Sequence, residues 1–389
     1  MLAVAAGIFV IVTTEILPIG LLSPIGVTFG ISDGTAGLMM TLPGILAAVA
    51  APVVTVTTRR VDRRRMLCAL VLVLALADFL AALAPGYWLM MVSRVLLGLV
   101  IGAFWSIGAS LASRLVPEAQ AGRATAVIFA AVPLGSVLGV PAGTLLGQLV
   151  GWRAVFAVMG GLTLAVLAAL VLSLPPLPPQ NVTRLGVLRE LLRSRRVRVA
   201  VAVTFLVVTA HFGTYTYVTP FLEDVTGASP RAITLFLLAY GAAGILGNFL
   251  AGAWVSRAPR GTYGVAAGLI AGVLLLLPVV GAAGAPGASG ASGASGATGY
   301  GGALVLLVMW GVAYGAVPVC SQTWFVNAAP RAPEAASVLF TSSFQATFAF
   351  GALGGGVVVD AASVGVVMVL GGGVALLAAL MVAGAARLV

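Results

Sequence analysis

Twelve runs of predominantly apolar residues, separated by short polar turns, leave this chain very few ways to fold. They fall at 2–22, 35–57, 66–84, 87–113, 122–150, 152–174, 198–222, 230–256, 262–281, 303–328, 334–359 and 362–386. A helix needs about 20 apolar residues to cross a bilayer, and in lipid every backbone polar group must be satisfied within its own segment or a closed barrel. Only 8% of the side chains are charged, against roughly a quarter in an ordinary soluble domain. The expected fold is therefore an all-α membrane protein of twelve transmembrane helices. The first run has no basic residue ahead of it and no small-residue cleavage site behind it, so it reads as a retained span, not a signal peptide.

Charge then orients the spans. All basic side chains are arginine. With the spans alternating in direction, Arg59, Arg60, Arg63, Arg64, Arg65, Arg114 and Arg123 fall on one face. So do Arg184, Arg189, Arg193, Arg195, Arg196, Arg198, Arg257, Arg260, Arg331 and Arg387. Positive charge resists translocation, which puts that face and both termini in the cytoplasm. Arg153 and Arg231 fall on the opposite face, and Arg94 lies inside a span. The net charge of +10 thus reports topology, and nucleic acid is not an expected partner. Cys68 and Cys320 lie in apolar runs and read as packing residues. The cysteines, the single histidine and the ten acids show no metal spacing, and no GxxxxGK[ST] loop occurs, so neither metal, cofactor nor ATP drive is expected.

The longest polar linker divides the spans six and six. Residues 1–174 form one expected six-helix bundle, 175–197 a cytoplasmic linker ending in an Arg-rich interfacial helix, and 198–389 the second bundle. The Gly-Ala-Ser repeats between Gly281 and Gly302 read as a flexible outer loop. The halves echo each other: RRVDRRR at 59–65 matches SRAPR at 256–260, and Pro117 with Glu118 matches Pro330 with Glu334. Parallel six-span repeats related by pseudo-two-fold symmetry suggest a transporter whose halves rock about a central cavity.

Several strings resemble the major facilitator superfamily across essentially the whole chain. RRVDRRR looks like that family's loop between the second and third spans, holding Arg63 and Arg64, although Arg59 stands where an acid is usual and Asp62 where glycine is usual. WLMMVSRVLLGLVIGAFW (88–105) looks like the fourth-span motif with its embedded arginine. GSVLGVPAGTLLGQLVGWRAVF (135–156) is similar to the fifth-span motif of antiporters, in which Gly139 and Gly143 sit on a flat face and Pro141 should bend the helix. TTEILPIGLL (13–22), TAHFGTYTYVTPFLEDVTG (209–227), YGAAGILGNFLAG (240–252) and WGVAYGAVPVCSQTWF (310–325) resemble the drug/sugar:proton antiporter branch. That branch includes bacterial arabinose-efflux, sugar-efflux and chloramphenicol-export proteins.

The resemblance implies proton-coupled efflux of a small drug or sugar-like molecule by a monomer, with multidrug resistance among the possible outcomes and no enzyme activity. Ionisable groups inside spans are expensive and usually face a cavity or a partner. Glu15 and Arg94 each lie about 10 Å from the outer surface on spans that line the family's cavity, and Asp78 lies about 9 Å down. The functional reading makes Glu15 the titrating acid and Arg94 its partner, and the plainer one makes them a fixed clamp between spans. Asp78 reads as more structural, and His211 serves either as a proton site or as packing. Trp105, Tyr215, Tyr217, Gln322 and Trp324 are candidate substrate contacts, each with simple packing as the alternative. Two rival functions remain: an uncoupled facilitator of the same fold and a polytopic membrane enzyme.

Overall fold

The computed structural model describes residues 1–57, 61–108, 131–178, 185–255, 257–284, 294–330 and 332–384. Arg59, Arg60, Arg114, Pro117, Glu118, Arg123, Arg184, Ser256, Arg331 and Arg387 lie outside the described residues, as do residues 285–293 and the adjoining ends of the fourth and fifth runs. The side chain of Glu334 is likewise outside them.

Among the described residues there is no strand. Among the described residues eleven helices are long and apolar enough to cross a membrane, and Leu134–Val150 is a shorter apolar helix. In chain order the first half holds α1 (Leu2–Ile16), a 3-10 turn (Leu17–Leu21), α2 (Leu22–Phe29), α3 (Asp33–Ala36), α4 (Leu38–Thr57), α5 (Arg63–Ala82), α6 (Tyr87–Gly108), α7 (Ala131–Val150) and α8 (Trp152–Ser173). A short helix α9 (Leu185–Arg193) leads into the second half. There follow α10 (Arg195–Tyr215), α11 (Val218–Asp224), α12 (Pro230–Val255), α13 (Pro259–Gly284), α14 (Ala294–Ala328), α15 (Pro333–Ala361) and α16 (Val364–Gly384). Large apolar side chains such as Leu172 and Phe249 stand exposed on the outer wall, 86% and 75% accessible, as a lipid-facing surface requires.

Two expectations need correction. The first and seventh spans are longer than their apolar runs and are broken. The first passes through the 3-10 turn beginning at Leu17–Pro18 and ends only at Phe29. The seventh breaks at Thr216–Tyr217 before α11. Proline removes a backbone donor and crowds the preceding turn, which accounts for the first break. These are corresponding positions in the two repeats. The Gly281–Gly302 stretch is also not wholly a loop: α13 reaches Gly284 and α14 begins at Ala294. Extending a helix that already exists avoids the cost of nucleating one, so the spans continue into a stretch that would not form helix alone.

The halves close on each other at one face. There Ser23 Oγ donates to Glu223 Oε2 at 2.7 Å, and Ser32 Oγ to Asp360 Oδ2 at 2.8 Å. The Gly34 N–H donates to Asp360 Oδ1 at 3.0 Å, Gln148 to the Pro230 carbonyl at 3.1 Å, and Thr219 Oγ1 to the Ile19 carbonyl at 3.0 Å, joining the two broken spans directly. Tyr87, whose hydroxyl donates to the Thr35 carbonyl at 2.6 Å, and Arg153, which donates to the Ala84 carbonyl at 3.0 Å, brace the same face. We call it the gate face. At the other end Asp62 caps α5, accepting from Arg65 N–H at 3.1 Å and from Leu177 N–H at 2.8 Å. The Arg65 bond leads in holding its carboxyl below the usual range. The aspartate that replaces the expected glycine therefore ties the α4–α5 turn to the linker. Arg64 donates to the Val171 carbonyl at 2.6 Å, and Arg63 is buried against Met66.

Candidate functional site

Burying a charge is costly unless it is paired and hydrogen-bonded, so the ionisable groups inside the spans locate the site. Two clusters result. The first lies within the first half. Asp78 of α5 accepts from Thr163 Oγ1 of α8 at 3.3 Å and from Thr14 Oγ1 of α1 at 3.5 Å. Arg94 of α6 donates to the Thr14 carbonyl at 3.3 Å and to Ser93 Oγ at 3.2 Å, and its guanidinium stands 5.0 Å over the Phe156 ring. Asp78 and Arg94 are both fully buried.

The second cluster spans the two halves at mid-depth. Glu15, on α1, is buried and accepts a hydrogen bond from Gln345 Nε2 of α15 at 2.9 Å. Tyr314 of α14 is part of the aromatic group of the second half. Its ring lies flat on His211 of α10, centroids 3.3 Å apart and planes 7° from parallel. His211 Nδ1 accepts from Trp310 Nε1 at 3.2 Å, while His211 Nε2 and the Tyr240 hydroxyl are buried without a hydrogen-bond partner. Tyr215 and Tyr240 stack beyond them, 4.6 Å apart, and Phe212 and Phe348 meet edge to face at 4.0 Å.

The expected pairing of Glu15 with Arg94 is therefore not the one found. The two do reach the same level, since Arg94 grips the carbonyl of Thr14, the residue before Glu15. Successive helical residues point about 100° apart, so Thr14 faces the Asp78–Arg94 cluster and Glu15 faces the other half. Asp78, read from sequence as the more structural acid, is the one that shares Thr14 with Arg94.

Of the aromatic candidates, Tyr215 joins His211. Tyr217 instead donates to the Ala352 carbonyl at 2.8 Å near the gate face, its ring filling the space that Gly37 and Gly356 leave open. Trp324 is buried against Tyr263, and Trp105 lies edge to face with Phe104 at 6.1 Å. Gln322 is exposed, two turns along α14 from Tyr314. The glycine face of α7 packs on α1 and the turn after it: a Cβ at Gly139 would come 2.9 Å from Ile16 Cγ1, and at Gly143 2.9 Å from Leu17 Cδ1. Pro141 lies within the uninterrupted α7.

Sequence reading missed Gln345, Tyr314, Trp310 and Tyr240. A signal existed for three of them. Trp310 and Tyr314 are four residues apart and so share a face, as do His211 and Tyr215, and Gln345 is an amide inside an apolar run. Among the described residues no group of three His, Cys, Asp or Glu side chains could hold a metal, and Cys68 and Cys320 are free thiols.

A two-half helical bundle, broken at matching spans, with ionisable and aromatic groups at its centre, defines a membrane transporter. The profile of the Major Facilitator Superfamily matches residues 4–333, and the chain belongs to that family; it is a transporter, not an enzyme. It is 29% identical over 370 residues to a protein of Helicobacter acinonychis (strain Sheeba) named a probable sugar efflux transporter, covering 95% of this chain and 90% of the relative. The same identity and coverage hold for a Helicobacter pylori (strain G27) protein of that name. Among solved structures, a bacterial homologue of the human lysosomal transporter Spinster, inward-facing and occupied, superposes with a TM-score of 0.78 at 17% identity, covering 99% of this chain and 96% of the other. The human organic anion transporter MFSD10 (TETRAN) gives 0.66 at 17% identity over 98% of each chain.

Proposed function

We propose that this transporter exports a small neutral, hydroxyl-bearing compound of the sugar type in exchange for protons, with Glu15 as the proton carrier. The observation that carries the reading is the Glu15–Gln345 hydrogen bond, which crosses between the halves below the gate face. A buried carboxyl whose bond across the halves is stronger when it is ionised couples proton occupancy to the rocking motion, because a ligand biases two conformations only by its differential affinity for them. The Asp78–Arg94 cluster stays within one half and serves as the fixed scaffold that keeps Thr14, and hence Glu15, in place.

The substrate class rests on the aromatic group around His211. Flat rings favour the apolar faces of a sugar, and the unpartnered His211 Nε2 and Tyr240 hydroxyl offer hydrogen bonds to its hydroxyls. The efflux name carried by the Helicobacter relatives agrees with this. Domains at 1–174 and 198–389, cytoplasmic termini and the bacterial inner membrane belong to the same proposal, as does action as a monomer.

Purified protein in proteoliposomes should move labelled sugars against a concentration gradient when an opposing pH gradient is imposed, and acidify the lumen when sugar is driven the other way. Flux that ignores the pH gradient would select the uncoupled facilitator, and transport of cationic drugs but no sugar would overturn the substrate class. For orientation, Arg231→Cys should react with an impermeant thiol reagent in intact cells and Arg193→Cys should not.

A further inference from the structure

Where the linker helix meets the seventh span, the outer wall carries a trench of about 380 Å³, lined by none of the residues of the candidate site. It is lined by Leu192 of α9 and by Arg198, Val201, Ala202, Phe205 and Leu206 of α10. The α10 residues recur at three- and four-residue intervals, so they form one continuous stripe along the helix. Arg198 is the single charged residue on that stripe. Phe205 lies two turns further into the span, about 10 Å away, and is held against Phe350 of α15 with ring centroids 5.2 Å apart. Leu192 and Phe205 are both well exposed on this lipid-facing wall.

The surroundings set the charge that the trench can accept. Between residues 189 and 198 stand five arginines, Arg189, Arg193, Arg195, Arg196 and Arg198, against one acid, Glu190. An apolar channel in a membrane wall admits an acyl chain, and a guanidinium at its water-facing end requires an anion. A planar guanidinium fork suits a phosphate in particular, and basic pockets beside spans at a membrane surface hold anionic headgroups. A soluble anion would leave the apolar trench open, and a zwitterionic lipid would leave the arginine cluster uncompensated.

We propose that this trench binds one anionic phospholipid, its acyl chain lying along Val201, Ala202, Phe205 and Leu206 and its phosphate against Arg198. The site holds the linker helix and the start of the second half to the membrane surface at one defined point.

Native mass spectrometry of the full chain in mild detergent tests it, with phosphatidylglycerol and phosphatidylcholine of identical acyl chains as probes and inorganic phosphate as competitor. One phosphatidylglycerol should stay bound in preference to phosphatidylcholine. The bound lipid should be lost in Arg198→Gln, an exposed position that leaves the fold intact, and in Ala202→Trp, which fills the trench with its charge unchanged. Arg196→Gln should keep it. Equal retention of phosphatidylcholine, or equal loss in Arg196→Gln, would show a diffuse surface field and overturn the proposal. Displacement by inorganic phosphate, or full retention in Ala202→Trp, would show headgroup attraction without a chain site and overturn it equally.

Discussion

Replacing Gln345 by Leu removes the donor that reaches Glu15 from the opposite half, 2.9 Å away, while keeping a side chain of similar bulk. Hydrogen bonds to charged groups contribute about 1.5–3 kcal/mol, and each 1.4 kcal/mol is a factor of ten in an equilibrium. The balance between the gate-closed state and its alternative should therefore shift by roughly 10- to 100-fold toward the alternative. Spin labels at Val27 and Arg231, exposed positions of opposite halves beside the gate face, would read this as a longer distance population in double electron–electron resonance. Glu15→Gln is the complementary change. It retains an acceptor for Gln345 and so keeps the halves bridged, but it carries no proton, so sugar flux should lose its dependence on an imposed pH gradient while exchange down the sugar's own gradient continues. The two variants thus separate bridging from proton carriage. If Glu15→Gln still exports at the normal rate and collapses with the proton gradient, Glu15 is not the carrier. If Gln345→Leu leaves the distance distribution unmoved, the bond is incidental to the conformational balance.

Arg94→Ala strands Asp78 in the core of the first half and should destabilise the protein by about 3–5 kcal/mol, seen as a lower melting temperature, with Arg94→Lys rescuing only part because the donor fork is lost; removing the acid too, in Arg94→Ala/Asp78→Asn, should recover stability. Gly139→Leu and Gly143→Leu push bulk into Ile16 and Leu17, where even a Cβ is crowded, and should cost about 1–3 kcal/mol and reduce transport while the protein still reaches the membrane; normal flux in both would mean that this helix contact is unimportant. Burial, with Asp224 and Asp33 adding to it and the Ser23 bond opposing, raises the Glu223 carboxyl above its ordinary 4.5. The closed gate therefore binds this proton more tightly than an open, hydrated one, so its contribution favours closure at low pH and fades as pH rises through the raised value. Glu223→Gln should flatten the pH dependence of the gate distance, and an unchanged profile would assign the effect elsewhere.

The number of spans, their helical state and the choice of a transporter from a membrane class were legible in the chain, because in lipid a long apolar run has almost no alternative to helix and its length is set by the bilayer. The fifth-span glycines were legible as a packing face for the same local reason, since residues four apart on a helix share a side whatever they touch. Which buried acid meets which partner was not. Depth along a span can be counted from sequence, but azimuth relative to a neighbouring helix is set by how the helices pack. One residue of rotation sends Thr14 toward Arg94 and Glu15 toward Gln345, 330 positions away. The same holds for the aromatic group: His211, Tyr240 and Trp310 sit on three different spans, and only the packing of α10, α12 and α14 brings their rings together.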